Sequence, residues 1–447
     1  MERLIASERL AESQRMPSVR KLASTLGVSP FTVATSYERL ASRGIVVSRA
    51  GSGYFIARTV HPPVREAPLS APRSQPSNAL GFVRSVVDPS SHALAPGSGF
   101  FPREWMEDAL PPAVVGRLLR GEASFAVPAP ALGTLEFRQQ LAIKLAALEI
   151  NVSPSQIITT FGATHAAQLI CRKLLQPGDP VLIEDPSYMV QQAQLLDAGY
   201  RLLPVPRRHD GPDLDILEKL AREHRPRLFF TQSVLHNPTG STTSPAVSFQ
   251  LLSLADRYNF FIVEDDVFGD ILDRPAVRLA SLDNSRRVFY VSSFTKALSP
   301  ALRVGYIVSP PEHVEALVDA KILGVLGGSA LQESLVTSVL KTGRYRVHLA
   351  GLQRRLHKAR SVALRSLTDI GIAFAPEPMD GLFLWGEVPR HVDVDKLMAD
   401  TFEHGILLTQ GTMFSPTGSF ARHFRFNAGL CLDPKVLSLL RSACRPT

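Results

Sequence analysis

Apolar positions along the first sixty residues change period twice. In "PSVRKLASTLG" (17–27), Val19, Leu22, Ala23 and Leu26 stand three or four apart, which predicts a short helix stopped by Gly27. In "VSPFTVATSYERLASRG" (28–44), Val33, Tyr37 and Leu40 repeat that spacing. Ser29 suits the N-cap, Pro30 the first turn and Gly44 the end of this second helix. "IVVSRAGSGYFIA" (45–57) then gives two β-like runs around "RAGSG", a hairpin signal. Helix, tight turn, helix and hairpin make a winged helix-turn-helix.

The period vanishes over "TVHPPVREAPLSAPRSQPSNAL" (59–80), which holds five prolines and few large apolar residues. Such a stretch builds no core and favours extended chain. It predicts a head at 1–58, a linker at 59–80 and a body at 81–447. The body alternates again. Continuous apolar runs occur at "QIITTFG" (156–162), "PVLIEDP" (180–186), "RLFFTQ" (227–232), "FFIVEDD" (260–266), "VFYVSS" (288–293) and "RVGYIVS" (303–309). Helical patterns such as "THAAQLICRKLL" (164–175) and "SFQLLSLADRYN" (248–259) lie between many of them. Apolar strands separated by helices predict an α/β fold with a mostly parallel sheet and helices on both faces. Ligands of such sheets bind beyond the carboxyl ends of the strands.

Composition adds bounds. The 447 residues suffice for two to four domains. No apolar run reaches the ~18 residues of a membrane span, and "MERLIASERLAESQRMPS" lacks the apolar core of a secretory signal. Cys171, Cys431 and Cys444 are far apart, so neither a disulfide framework nor a metal site is expected, and the reading is a reduced, cytoplasmic protein. Charge is uneven: residues 1–60 carry nine Lys/Arg against four Asp/Glu, the remainder 40 against 37. A basic head points to a polyanion. In a winged helix-turn-helix the second helix enters a DNA major groove and the hairpin tip meets backbone or minor groove. Ser29, Thr32, Thr35 and Ser36 lie near the front of that helix, and Arg20, Lys21 and Arg49 suit phosphate contacts, so double-stranded DNA is the expected partner. A winged helix used for protein contact is the plainer alternative.

Four strand ends carry chemistry. In "FGATHAAQ", Gly162 allows close backbone approach, and Ala163 and Thr164 open a helix, a seat for phosphate; most such turns bind nothing. In "HNPTG", Asn237 is held extended by the following proline, so its amide can meet a ring oxygen; alone it is an ordinary turn. In "VEDDVFGD", carboxylates directly after an apolar strand need a partner, either a cationic nitrogen, a metal or a helix end. In "SSFTKALSPALR", Lys296 sits in a turn with Arg303 seven residues on. A solvated surface lysine is the bland reading; a lysine beside a phosphate among apolar strands can form a Schiff base with an aldehyde. One ligand answers all four: pyridoxal 5′-phosphate (PLP). Lys296 would take its aldehyde, Asp265 its ring nitrogen, Asn237 its ring oxygen, and Ser293, Thr164 and Arg303 its phosphate. Tyr188, in "EDPSYMV", would stack on the ring or serve as a core tyrosine.

The head resembles the GntR family of bacterial regulators through "MPSVRKLASTLGVSPFTV", "SYERLASRG" and "RAGSGYFI". Members carry a full first helix before the segment matching "RLAESQRMPS"; here "MERLIASE" alone precedes it, so the first helix is cut short or the start lies upstream. The body resembles the fold type I, aspartate aminotransferase-like PLP enzymes through "GATHAA", "EDPSY", "HNPTG", "EDDVFGD", "SFTKALSPALRVGY" and "FRFNAG". That resemblance implies a small C-terminal α+β domain and a carboxylate-binding role for Arg425. The union of both parts resembles the MocR subfamily. It implies a transcription regulator whose aminotransferase-like domain senses PLP or an amino compound and controls DNA binding as a head-to-tail homodimer. An active aminotransferase with a vestigial head is the second reading, and a PLP-binding scaffold that pairs with protein the third. Two departures bear on the choice. Phe268 stands where the related pattern carries a tyrosine whose phenol would meet the ring oxygen, which implies weakened catalysis or sensing alone. Asp380, in "PMDGLF", replaces a common glycine near the expected pocket mouth.

Overall fold

The structure, a computed structural model, describes residues 13–57, 76, 78–87, 94–118, 129–375 and 380–445. Two compact units divide the chain, Met1–Ala71 and Pro72–Thr447.

In the first unit, α1 (Val19–Leu26) is opened by Ser18, whose hydroxyl accepts from the Lys21 amide, and closed by Gly27 in the left-handed region. Helix α2 (Pro30–Ser42) starts at Ser29, whose hydroxyl accepts from the Thr32 amide. β1 (Val46–Arg49) and β2 (Gly53–Ile56) pair antiparallel. Ala23, Val33, Tyr37, Leu40, Val46 and Ile56 form its core, with the Tyr37 hydroxyl donating to the Pro17 carbonyl at 2.9 Å. Leu26 departs from the expected buried stripe: it is the last residue of its helix and is 58 % exposed. The expected lead-in at residues 1–12 lies outside the described residues.

Most of 59–80 lies outside the described residues as well. At its end, however, a helix, α3 (Ala79–Val87), already begins inside the stretch read as linker. Asn78 accepts from the Gly81 amide at 2.8 Å, and Ala79 and Phe82 are buried with Met189, Leu407 and Phe414. The prolines before it masked a short apolar run that finds a partner surface.

The second unit is built on one sheet: β3 (Ile157–Thr160), β4 (Pro180–Asp185), β5 (Arg201–Arg208), β6 (Gly211–Pro212), β7 (Leu228–Thr231), β8 (Phe261–Asp265), β9 (Val288–Ser293) and β10 (Gly305–Val308), in the spatial order β3-β10-β9-β8-β7-β4-β5-β6. β5, β4, β7, β8 and β9 run parallel; β10 is antiparallel to both β9 and β3. Successive residues go to opposite faces. Leu182, Phe229, Ile262 and Tyr290 enter one apolar cluster, and Val181, Phe230, Val263 and Val291 the other. Two further strands, β11 (Phe383–Glu387) and β12 (His423–Asn427), pair antiparallel in a small second sheet. Cys171, Cys431 and Cys444 are buried and free. Among the described residues, no helix is long and apolar enough to cross a membrane, and no cluster could hold a metal ion.

One buried network fixes the carboxyl end of β8. Asp266 accepts from Arg278 Nε at 2.6 Å and from the Tyr290 hydroxyl at 2.7 Å, while its carbonyl accepts from Ser292. Replacing Asp266 with Ala strands a buried guanidinium. The expected cost is about 3–5 kcal/mol, read as a fall in the denaturant midpoint of the body.

Candidate functional site

Segments from many parts of the chain converge on one cavity of about 290 Å³ beyond the carboxyl ends of the parallel strands. After β3, Gly162 (φ 84) caps α4 (Ala163–Leu174), and Ala163 and Thr164 line the cavity. The positive φ of Gly162 is one that L side chains rarely adopt, and a Cβ there would lie 2.9 Å from Arg303 Nη2 and displace that guanidinium. Tyr188 follows β4 and precedes α5 (Met189–Asp197). Asn237 follows β7, Asp265 ends β8, and Ser293 ends β9. Lys296 stands not in an open turn but in a single helical turn, α6 (Phe294–Ala297), because the Ser293 hydroxyl caps it by accepting from the Thr295 amide. Arg303 arrives from the other direction, two residues before the antiparallel β10. Thus Gly162's neighbours Ala163 and Thr164, together with Tyr188, Asn237, Asp265, Ser293, Lys296, Arg303 and Arg425, all face one space.

The electrostatics of this space are unusual. No ion pair among the described residues involves Asp265, Lys296, Arg303 or Arg425. Burial pulls the Lys296 amine down to about 7, and Arg425 and Arg303 add repulsion. That amine donates to the Gly99 carbonyl at 2.9 Å and sits 4.1 Å from the centre of the Phe100 ring. Burial pushes the Asp265 carboxyl up to about 7, against a hydrogen bond from Gln232. Arg425 is drawn down to about 9 by burial. It donates to the Gly97 carbonyl through Nε and Nη2 and to Asn237 Oδ1 through Nη1, and lies over Phe383 and Phe414. Burial likewise raises the Tyr188 phenol. Phe268 lines the cavity and meets Phe383 edge-on at 5.1 Å. Asp380 is not among the lining residues; it pairs with Arg274 at 2.7 Å.

Several participants escaped the sequence reading. Gln232 links two site residues, donating to Asp265 Oδ2 at 2.9 Å and accepting from the Asn237 amide at 2.8 Å. Its signal was a glutamine directly after an apolar strand. The Thr295 hydroxyl accepts from Arg303 and shares a 2.8 Å hydrogen bond with the Ser293 hydroxyl, which itself lies 2.9 Å from the Val304 carbonyl. The pair of hydroxyls in "SSFTK" was the clue. The Gly97–Phe100 carbonyls and the α3 residues Phe82, Val83, Val86 and Val87 gave none. Behind the site, Glu184 is held ionised, down to about 2 against its burial, by Arg207 and His236, and it accepts from the Gln232 amide.

In the head, Arg20, Lys21, Ser29, Thr32, Ser36 and Arg49 are exposed and Thr35 is half-buried. Ser29 and Thr32 share a hydrogen bond of 2.8 Å between their hydroxyls, and the Ser36 hydroxyl donates to the Thr32 carbonyl. Arg49 lies over the Phe55 ring at 4.6 Å.

The paired shifts imply a stability minimum in ligand-free protein. Lys296 titrates lower folded than unfolded (about 7 against 10.5), so its contribution is full above 10.5 and lost as pH falls toward 7. Asp265 titrates higher folded (about 7 against 3.8), so its contribution is full below 3.8 and lost as pH rises toward 7. Lys296→Met is expected to stabilise the dialysed protein at pH 7 by on the order of 3 kcal/mol and to flatten the alkaline arm. Asp265→Asn is expected to flatten the acid arm. Urea unfolding across pH 4–10 reads both.

Comparison with known proteins agrees with both units. Aminotransferase class I and II matches residues 102–439, and the gntR family of bacterial regulatory proteins matches residues 1–56. The chain is 28 % identical to the uncharacterized HTH-type transcriptional regulator YdcR of Escherichia coli, over 95 % of this chain and 92 % of that one. It is 30 % identical to the "Probable rhizopine catabolism regulatory protein MocR" of Rhizobium meliloti, over 80 % and 73 %. Among solved structures, LysN of Thermus thermophilus, an alpha-aminoadipate aminotransferase complexed with N-(5′-phosphopyridoxyl)-L-leucine, superposes with a TM-score of 0.71 at 28 % identity, covering 79 % of this chain and 92 % of that one. The chain belongs to the aminotransferase class I and II family and, with its gntR-type head, to the MocR-like regulators that join the two.

Proposed function

We propose that this protein is a transcription regulator that binds double-stranded DNA through its head and is controlled by an amino compound, or by PLP itself, bound in its aminotransferase-like body. The observation that carries the reading is the set of charges without countercharges around one cavity. PLP is the cofactor, and the residues present fit it. An anion would satisfy Arg303 at the start of α4, a cationic ring nitrogen would satisfy Asp265, and a carboxylate would satisfy Arg425. When bound, PLP supplies an aldehyde that condenses with amines and a ring that withdraws electrons.

Each protein group has a task. Lys296, neutral over much of the physiological range, presents an uncharged amine to the aldehyde. Asp265, oriented by Gln232, holds the proton on the ring nitrogen. Thr164, Ser293, Thr295 and Arg303 hold the phosphate, together with the free amides at Gly162–Thr164. Asn237 takes the ring oxygen and Tyr188 the ring face. Phe268, in the cavity wall, offers no hydroxyl, so it would give the ring oxygen no donor. Control of DNA requires a ligand that favours one conformation over another. Helix α3 lines the cavity and is the first described helix after the head, so ligand contacts there bear on the chain that runs to the head. The working form is a head-to-tail homodimer in the cytoplasm.

Adding PLP to the purified protein is expected to produce a visible absorbance band that Lys296→Ala abolishes. Retardation of the gene's own upstream DNA is expected to change with PLP or an amino acid. Absence of the band in a folded wild-type protein overturns the cofactor assignment. Arg425, buried and without an anion, favours a second reading, an active aminotransferase. Under the regulator reading, single-turnover transfer from amino acids is slow and Phe268→Tyr speeds it about ten-fold; fast turnover in the wild type together with no DNA binding would favour the enzyme.

A further inference from the structure

The leading turn of α2 carries a large apolar side chain that the fold does not use. Phe31 is 81 % exposed, and Leu26 and Val28 beside it in sequence are 58 % and 41 % exposed. The buried side of α2 is Val33, Tyr37 and Leu40. Phe31 precedes Val33 by two positions, roughly 200° around the helix, so it belongs to the opposite, outward side with Thr35 and Arg39. The polar groups of the same turn are already engaged: Ser29 caps the helix and bonds Thr32, and Ser36 bonds the Thr32 carbonyl. Arg20, Lys21 and Arg49 are exposed on the same unit, whose charge is basic.

We propose that Phe31 is a specificity-determining residue of the head that packs on the 5-methyl group of a thymine in the DNA major groove. The inference rests on the DNA-binding reading above and extends it to a base. The front of the second helix of a helix-turn-helix meets base edges. In the major groove the thymine methyl is the apolar feature that an aromatic side chain can read. An exposed phenyl on a basic unit has no use in that unit's own core, and the unit's charge favours a polyanion as what covers it. The hydroxyls of Ser29 and Thr32 then serve chiefly to hold the turn that presents Phe31.

The test uses the full chain with PLP added. A random duplex library is selected for binding, and the thymines of a selected duplex are replaced one at a time by deoxyuridine, which removes only the methyl group. Loss of one methyl contact is expected to weaken wild-type binding about three- to five-fold at one position of each half-site. Phe31→Ala is expected to bind thymine and deoxyuridine duplexes equally, and Phe31→Leu to retain part of the preference. Arg20→Ala, as a control, is expected to weaken all duplexes alike and lower the salt slope by about one. Wild-type insensitivity to deoxyuridine at every position, or an undiminished penalty in Phe31→Ala, overturns this proposal and leaves DNA binding intact. A Phe31→Ala chain with unchanged base preference but altered oligomeric mass assigns the residue to protein contact and also overturns it. Failure of the wild type to select any duplex overturns the DNA reading itself.

Discussion

An aliphatic amine, a carboxylate and two guanidinium groups line one largely apolar cavity with no ion pair among them, and the rest of the body holds them there. Arg303 keeps access to solvent, but removing the other three from water is costly unless they are paired or hydrogen-bonded. Here neutral oxygens do much of the work: the Gly99 carbonyl takes the Lys296 amine, Gly97 takes Arg425, and Phe161 takes Arg303. Carbonyl dipoles lessen the cost of burial but cancel no charge. The cavity therefore keeps a net demand for an anion at two places and for a cation at a third.

The sheet makes this possible by geometry. Parallel strands end together, so residues scattered over more than a hundred positions arrive at one edge. Reversal of β10 brings Arg303 to that same edge from the opposite direction. One layer back, Asp266 with Arg278 and Glu184 with Arg207 form buried ion pairs, and His236, which burial draws down to about 4 and so holds neutral, lies against Glu184. The neighbouring carboxylates of "EDD" thus have separate roles. Glu264 accepts from the Leu279 and Ala280 amides, Asp266 is neutralised, and Asp265 is left facing the cavity.

Legibility in the sequence followed the same division. The strands that carry Asp265, Ser293 and Asn237 could be read because buried parallel strands are continuous apolar runs, and their ends mark themselves by a change to polar residues. β5 was missed because Pro204, Pro206, Arg207 and Arg208 interrupt its pattern; it pairs with β4 from Arg201 to Pro206, and its last two residues meet the two-residue β6. Gln232 and Thr295 were missed because their value lies in a contact rather than in a motif. The carbonyls of Gly97 and Gly99 leave no side-chain trace at all, and they reach Arg425 and Lys296 across more than 190 positions. In the head, caps and core were legible from local spacing, whereas the exposure of Phe31 was not. Apolar residues in a sequence pattern default to the interior, and only coordinates show one left outside.

Phe268 shows how far a site can be specialised without being dismantled. It is buried, packs edge-on against Phe383, and lies 5.8 Å from the Lys296 amine. An aromatic ring of the same shape as tyrosine preserves the walls of the cavity, so the space and the charges that would recognise a ligand remain. What is lost is a single donor, and a donor matters most where charge develops during a reaction rather than where a ligand rests. Binding and turnover are thereby separable at one position. Helix α3 forms part of the wall of the same cavity through Phe82, Val83, Val86 and Val87.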